Sequence, residues 1–432
     1  VPAAPDLHPI EPDELSGLFS AVRGHERVVL AVSGGSDSMA LMALYHAFRR
    51  ADPAAPAAIV ATIDHGLRAE AADDARFVLE AAAALGFEAV ARRWEGEKPA
   101  SDIQAAARDA RYRLLAAIAR EAGASAILTA HTLDDQAETV LLRLARGSGV
   151  KGLSAMAPVR RLAAEDGPDL VRPLLGISRA RLRATLRRDG LGWREDPSNE
   201  NDRFARVRMR RLMPALAAEG LDARRLAGTA RRLARADAAI DAMVEALAAA
   251  ALKADAFGVL SLDVAAFADA PEEVRLRLLA RMLGWAGGGD VGPRLERLER
   301  AAAVIGAARD TRFTLAGALL TLRAGRLVVC REAGRGGLPD MELVPGTSGV
   351  WDGRWRVRLS DAAPGRVTVR AVGSAWRKLA PPDWRAASAG MSAVPGIFCG
   401  EGLVAAPAFG HFAAHEWRGA VAADFATPPP GR

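Results

Sequence analysis

Apolar residues follow two rhythms along the chain, and the change between them divides it. Between residues 26 and 130, short apolar runs alternate with longer stretches of helical character. The runs at 27–32, 58–63, 88–92 and 126–129 read as strands. The stretches at 38–50, 69–85, 102–121 and 134–146 read as helices. That alternation predicts an α/β fold: βαβ units closing into a doubly wound parallel sheet.

From residue 173 to 216 the chain is arginine-rich and punctuated by Pro197 and Pro214. Stretches 223–251, 271–283 and 293–308 place apolar residues at i, i+3 and i+4, predicting a small helical domain after the sheet. Beyond Asp310 the period becomes two. Stretches 314–323 and 326–331 flank a turn at Ala324-Gly325, and in 354–359 and 366–372 arginines alternate with Trp355, Val357, Val367 and Val369. Alternation of that kind puts charge on one face of a sheet and apolar groups on the other, so these aromatics read as core and not as a platform for stacked bases. Expected boundaries are 1–216 for the α/β domain, 217–333 for a helical domain with a terminal hairpin, and 338–432 for a small β-containing domain. The Gly-rich stretch 334–337 joins the last two.

Composition narrows the class. With 432 residues and 50% hydrophobic content, the chain can bury two or three cores. Apolar stretches such as 246–252 are too short to cross about 30 Å of hydrocarbon, so no membrane association is expected. Residues 1–18 carry prolines and acids instead of the basic start of a secretory signal, which points to the cytoplasm. Cys330 and Cys399 form no C-x-x-C pair, which argues against a disulfide framework or a zinc or iron–sulfur site. A net charge of +6 and a pI near 9.9 favour a polyanionic partner. Lysine occurs only at Lys98, Lys151, Lys253 and Lys378; the arginine bias fits phosphate binding and a biased genome equally well.

The first chemical signal is the run from Val28 to Ser38, an apolar strand entering Ser33-Gly34-Gly35-Ser36-Asp37-Ser38 and then a helix. Glycines let backbone approach phosphate oxygens, hydroxyls donate to them, and the helix N-terminus adds partial positive charge. The P-loop lysine is missing. Asp37 inside an anion cradle repels phosphate unless a cation intervenes, so a Mg²⁺ bridge is the natural reading. A plain Ser/Gly turn is the bland alternative. Residues 147–152 fit G-x-G-x-x-G literally, but they follow a helix instead of a strand and do not read as a dinucleotide site.

A second signal opens at His131. Asp134 and Asp135 fall in the first turn of the predicted helix, where the dipole favours anions, and Glu138 follows on the same side. Such a cluster binds Mg²⁺ or a cationic substrate, or else is N-cap chemistry with a solvated face. His65 and His131 have no second histidine at ligand spacing, so hydrogen bonding is the better reading of both. Arg108 and Arg111, at i and i+3, either clamp phosphate or flank a helix.

The loop Ser33 to Ser38 resembles the pyrophosphate loop of the ATP pyrophosphatase (PP-loop) superfamily, whose members cleave between the α and β phosphates. Six further stretches resemble the tRNA(Ile)-lysidine synthetase family within it: Ile63-Asp64-His65-Gly66-Leu67-Arg68, Ala107 to Tyr112, His131 to Thr139, Arg143 to Gly149, Arg172-Pro173-Leu174-Leu175 and Trp193 to Asn199. The match is dense over 26–216; farther on it is a matter of architecture. One departure is Val207, where the family usually has asparagine.

The resemblance implies an adenine nucleotide alpha hydrolase-like fold using ATP and Mg²⁺. It also implies a two-step reaction on the wobble cytidine of tRNA(Ile) with a CAU anticodon. The base O2 attacks the α-phosphorus and releases pyrophosphate; the ε-amine of L-lysine then attacks C2 and displaces AMP. On this reading Ser33, Gly34, Gly35, Ser36, Asp37, Ser38, Asp64 and His65 bind the nucleotide, with Asp37 on Mg²⁺. Asp37, Asp134 and Asp135 act in catalysis, with Asp134 and Asp135 orienting cytidine and amine. Arg108, Arg111, Tyr112, His131, Asp135, Glu138, Arg143, Arg146 and Arg206 bind substrates, Glu138 holding the lysine ammonium. A homodimer is compatible with the sequence. Two other readings stay open: a thiolating or amidating tRNA pyrophosphatase, which the missing paired cysteines disfavour, and a non-catalytic arginine-rich RNA-binding protein, against which the intact acids argue.

Overall fold

Strands buried on both faces lose the polar–apolar alternation of half-exposed ones, and the first strand, β1 (Arg27–Ala31), is fully buried from Val28 to Ala31. The computed structural model describes residues 7–66, 71–96, 98–99, 103–162, 167–195, 205–289, 292–307, 309–334, 337–380 and 388–431. It divides into two compact units, Val1–Asp237 and Ala238–Arg432.

The first unit begins with a short helix, α1 (Leu15–Leu18), before β1. There follow α2 (Ser36–Ala51), β2 (Ala57–Asp64), α3 (Ala71–Ala84), β3 (Glu88–Arg93), α4 (Ile103–Glu121), β4 (Ala126–Thr129) and α5 (Leu133–Leu144). A one-turn α6 (Val150–Leu153) leads to β5 (Val159–Arg161), β6 (Asp169–Val171), α7 (Arg179–Arg188) and α8 (Ala205–Ala218), and α9 (Ala223–Ala251) runs on into the second unit. The sheet order is β3-β2-β1-β4-β6-β5, parallel except for β5.

Helices cover both faces. Val28 and Leu30 pack with Leu41, Tyr45 and Phe48 of α2 and Leu182 and Leu186 of α7, whereas Val29, Ala31, Ile59 and Ile127 pack with Leu115 and Ile118 of α4. This is the expected doubly wound sheet. Strand order reverses between β1 and β4, both of whose carboxyl ends open on one crevice, where open α/β sheets bind ligands.

Differences from expectation are local. Residues 69, 70 and 102 of the expected helices, Leu67 and Arg68, and the segment 196–199 with Pro197 lie outside the described residues. Helix α5 stops at Leu144, and Gly147 then takes φ +69°, a left-handed conformation that glycine adopts at low cost. Pro214 sits inside α8 instead of ending a segment; it removes only one ladder donor from a helix held at its other turns.

In the second unit, helices α10 (Val264–Asp269), α11 (Glu272–Gly287) and α12 (Leu295–Gly306) share a core with a sheet. That sheet contains β7 (Leu252–Ala254), β8 (Leu260–Asp263), β9 (Thr311–Leu315), β10 (Ala318–Arg323) and β11 (Arg326–Arg331), in the order β7-β8-β11-β10-β9. The run 314–323, expected as one strand, is two strands joined at Ala316-Gly317, both with positive φ. The remainder forms β12 (Met341–Leu343), β13 (Ser348–Trp351), β14 (Trp355–Leu359), β15 (Val367–Ala371), β16 (Pro395–Cys399), β17 (Gly402–Ala406), β18 (His411–Phe412) and β19 (Val421–Phe425) in two sheets, β12-β15-β16-β17-β18 and β13-β14-β19. Trp355, Val357, Val367 and Val369 are buried in their core, as the alternation predicts. No helix among the described residues is long and apolar enough to cross a membrane.

Leu30 is fully buried in the strand that carries the phosphate loop. Leu30→Ala is expected to destabilise the first unit by about 2–5 kcal/mol through lost transfer energy and the cavity left behind. A denaturant titration followed by a probe in that unit checks this, and a midpoint equal to that of the parent chain would contradict it.

Candidate active site

After β1, Val32 still donates to Ala61 O (2.9 Å), and the chain then turns at Gly34, with φ +85°. Ser38 fixes the loop: its Oγ accepts from the Ser33 amide (3.0 Å) and donates to Gly35 O (3.0 Å). Gly35 caps α2, and a side chain there would meet open space. The first helical bond of α2 runs from Met39 N to Gly35 O, so the amides of residues 36–38 belong to the turn that a helix leaves for an outside acceptor.

The acids come from α5, which starts just beyond β4. Thr132 and Asp135 form a capping box: Thr132 Oγ1 accepts from the Asp135 amide, while Asp135 Oδ2 accepts from the Thr132 amide (2.9 Å) and hydroxyl (2.8 Å). Asp134 accepts from the Arg179 amide at 2.8 Å, so it caps α7. Both first-turn acids therefore have structural duties.

Arg179 joins the two halves. Its Nε donates to Asp37 Oδ2 at 2.9 Å, Nη2 donates to Asp135 Oδ1 at 3.2 Å, and Nη1 lies 3.8 Å from Glu138 Oε1. Glu138 is almost wholly buried, its Oε1 accepts from Arg210 Nε at 2.9 Å, and its Oε2 has no hydrogen-bond partner.

Electrostatics follow burial. Burial pushes the Asp37 carboxyl above its ordinary range against the pull of Arg179. Burial raises Glu138 as well, opposed mainly by Arg210. For Asp135 burial works upward, but Arg179 and the Thr132 amide and hydroxyl outweigh it, leaving the carboxyl below its ordinary value. His131, 2.9 Å from Thr129 Oγ1 through Nδ1, is driven down to about 3 by burial, the nearby Asp135 notwithstanding, and is therefore neutral near pH 7.

These groups face an open cleft of about 1240 Å³ whose described walls include Ser33, Gly35, Ser36, Asp37 and Ser38, Arg108, Arg111, His131, Asp135 and Glu138, and Arg143, Arg146 and Arg206. Most of the sequence-derived set is thus brought together. Gly34, Asp64, His65, Tyr112 and Asp134 are not on that wall. Asp64 instead accepts from the Gly66 amide (2.6 Å) and lies 3.6 Å from Arg93, which ties β2 to β3. His65 Nδ1 is buried without a partner, and burial lowers its pKa. Tyr112 lies under the guanidinium of Arg108, 5.1 Å from ring centre to Cζ. Arg143 reaches the wall while its Nη1 donates to Gly152 O and Ala155 O. Val207 is buried at the wall, where an apolar side chain fits.

A family model described as a PP-loop domain matches residues 10–216. The tRNA(Ile)-lysidine synthase of Bradyrhizobium diazoefficiens is 45% identical over 359 residues, spanning 77% of this chain and 99% of that protein. Those of Methylobacterium nodulans (50% over 318 residues, 71% and 91%) and Ruegeria pomeroyi (41% over 404 residues, 92% and 92%) agree. The chain belongs to the tRNA(Ile)-lysidine synthase family. Its α/β unit is the PP-loop domain, an ATP-using fold, and the chain is an enzyme of the ligase class.

Sequence reading of this synthase missed Arg179, Arg183, Arg194 and Arg210, which also line the cleft. A signal existed for one of them. Arg179 follows the N-cap Ser178 and so stands at the first position of α7, where the helix dipole disfavours a cation. A cation there signals carboxylates nearby in space.

Burial of neutral His131 has a consequence for stability. The folded chain holds the ring neutral down to about pH 3, whereas the unfolded ring takes up a proton near 6.5. Between those values the unfolded state binds the extra proton, so stability falls as pH drops from about 6.5 toward 3. His131→Gln removes this component. The stability of the variant relative to the parent should rise on going from pH 7.5 to 5.0, as measured by urea midpoints; a difference independent of pH would contradict a buried neutral ring.

Proposed function

We propose that the chain ligates L-lysine to C2 of the wobble cytidine of tRNA(Ile) with a CAU anticodon, consuming ATP and releasing pyrophosphate and AMP. The observation that carries this reading is the single cleft in which Arg179 connects Asp37 of the phosphate loop to the acids of α5. Nucleotide chemistry and cation binding are thereby made neighbours.

In the first step the amides at the start of α2, with the hydroxyls of Ser33, Ser36 and Ser38, receive the charge that builds on the departing pyrophosphate. Mg²⁺ would neutralise phosphate charge as the α–β bond breaks, and Asp37, with at most one other carboxylate, is the donor set that such an ion takes alongside phosphate oxygens and water. Arg108, Arg111, Arg146 and Arg206 supply positive charge on the cleft wall for phosphates of the nucleotide or the tRNA.

In the second step the lysine must be held as an ammonium and then lose a proton to become nucleophilic. Glu138 has a carboxylate oxygen, Oε2, with no partner, which suits the ammonium. Asp135, whose carboxyl lies below its ordinary pKa, and Asp134, through α7, would orient the amine and the cytidine. Residues 217–333 and 338–432 are proposed to bind and recognise the tRNA body. The cytoplasm is the compartment that fits, and a homodimer is compatible but not required. A thiolase reading finds no support: no cysteine is among the described residues of the cleft wall, and Cys330 and Cys399 form no C-x-x-C pair.

Incubation with ATP, labelled lysine and total tRNA, followed by nucleoside analysis, tests the whole reading: label in lysidine is expected, and its absence would refute it. Asp37→Ala should abolish pyrophosphate release while leaving tRNA binding within about twofold, because it removes a metal ligand and no RNA contact; normal release would remove Asp37 from the metal site. Glu138→Gln should still yield adenylated tRNA when lysine is withheld, yet raise the lysine KM by roughly thirty- to a hundred-fold, about 2–3 kcal/mol for a lost charge-assisted contact. Loss of adenylation with unchanged lysine dependence would instead move Glu138 to the nucleotide side.

A further inference from the structure

The stretch from Trp193 to Asn199 takes no part in the two proposed steps, yet its described portion, residues 193–195, lies against the phosphate loop. The Arg194 amide donates to Gly34 O at 2.9 Å. Indole Nε1 of Trp193 donates to Glu195 Oε1 at 2.9 Å, and the same oxygen accepts from Arg183 Nη2 at 3.2 Å. Arg183 in turn donates through Nε to Ser36 Oγ, 3.3 Å away at the first residue of α2. Trp193, Glu195 and Arg183 thus form a chain of contacts that ends on a loop hydroxyl.

Helix α7 carries Arg179, Arg183 and Arg187 at intervals of four, so the three share one face. Their surroundings differ. Arg179 meets Asp37, Asp135 and Glu138, whereas Arg183 and Arg187 lie against the Trp193 ring, 6.0 and 5.9 Å from its centre. The one carboxylate paired with Arg183 is Glu195, whose side chain is 67% exposed; such a pair neutralises a guanidinium weakly. Among the described residues the hydrogen-bond acceptors of Arg183 are Ser36 Oγ and Glu195 Oε1, which leaves Nη1 open. Arg183 is therefore the cation of the row that faces the loop with an incomplete counter-charge.

We infer that Arg183 binds the β- and γ-phosphates of ATP and the pyrophosphate they become, and that Trp193 and Glu195 are the positioning residues that aim it. Location carries the assignment. On one side of the start of α2, Asp37 leads through Arg179 to the acids of α5, where the amine and the cytidine are proposed to stand. On the other side Ser36 leads to Arg183, one turn farther along α7. A triphosphate laid across the open amides of residues 36–38 with its α-phosphorus toward those acids has its terminal phosphates toward Arg183. The free Nη1 and the weakly held Nη2 suit a forked contact with phosphate oxygens. Glu195 fixes the plane of the guanidinium and, as a like charge beside the product, moderates the hold. This rests on the proposed departure of pyrophosphate at the start of α2.

The test is calorimetric and needs no turnover. Magnesium pyrophosphate and AMP, which carries only the α-phosphate, are titrated separately into the full chain. Arg183→Gln should weaken pyrophosphate binding by about ten- to a hundred-fold, the loss of a charge-assisted contact, and AMP binding by less than about twofold. Glu195→Gln keeps an acceptor for Trp193 and Arg183 but removes the negative charge, so pyrophosphate should bind at least as tightly as in the parent and up to about fivefold more tightly. Trp193→Ala should weaken pyrophosphate and spare AMP. A merely structural role predicts losses in all three variants and for both ligands. Unchanged pyrophosphate affinity in Arg183→Gln, equal losses of pyrophosphate and AMP, or weaker pyrophosphate binding in Glu195→Gln overturns the inference. Failure of the parent chain to bind magnesium pyrophosphate would instead remove the pyrophosphate site at α2 itself, a result distinguishable from any difference among the variants.

Discussion

The first unit depends on a charge balance at the carboxyl edge of its parallel sheet, where one guanidinium serves three carboxylates from two elements. Asp37 belongs to the phosphate loop, and Asp135 and Glu138 belong to α5. Taking any of these charges out of water costs several kcal/mol unless a counter-charge is close and well oriented. Arg179 supplies that counter-charge only because α7 begins where it does. The start of α7 is fixed twice, by Ser178 accepting from the Arg181 amide and by Asp134 accepting from the Arg179 amide. Placement of one side chain thus rests on a cap contributed by the neighbouring helix.

Asp134 and Asp135 show why the bland reading of an acidic first turn and the functional one need not compete. Asp135 closes a capping box with Thr132 and still presents its other oxygen to Arg179 in the cleft. Capping also fixes the rotamer of Asp135, so local helix chemistry orients an acid for use elsewhere. Asp134, by contrast, spends its carboxylate on the backbone of α7, and its influence on the cleft is indirect. The orienting roles proposed for these two adjacent acids would therefore rest on different physical means.

Legibility of this chain in its sequence followed the range of the interactions. Strands β1, β2, β3 and β4 and their helices were readable because burial on both faces leaves continuous apolar runs between helical stretches. The cradle from Ser33 to Ser38 was readable because its chemistry lies in consecutive residues. Short β7 and β8 were hidden by the strong helical periodicity around them, and the split of 314–323 turned on one Ala-Gly pair, Ala316-Gly317. Arg179 was harder to read for another reason: its partners are distant in sequence, and in an arginine-rich stretch its one local signal, a cation at the first position of α7, has no compositional contrast. Likewise Asp64 looks like a ligand residue at a strand end, yet its side chain is taken up by the Gly66 amide and Arg93.

A phosphate loop that carries Asp37 and no lysine becomes intelligible from its surroundings. The start of α2 provides partial positive charge for phosphate, and the cleft wall adds several arginines. A fixed lysine in the loop would stand beside Arg179, and the two cations would compete for the same acids. An acid there instead pairs with Arg179 and, on the proposed reading, would be the ligand for a cation arriving with the nucleotide. Burial raises the pKa of Asp37, and the ion pair with Arg179 opposes that rise. On the proposed mechanism the site accepts an anion and then a cation at neighbouring positions, for which exchangeable ion pairs serve better than permanent ones.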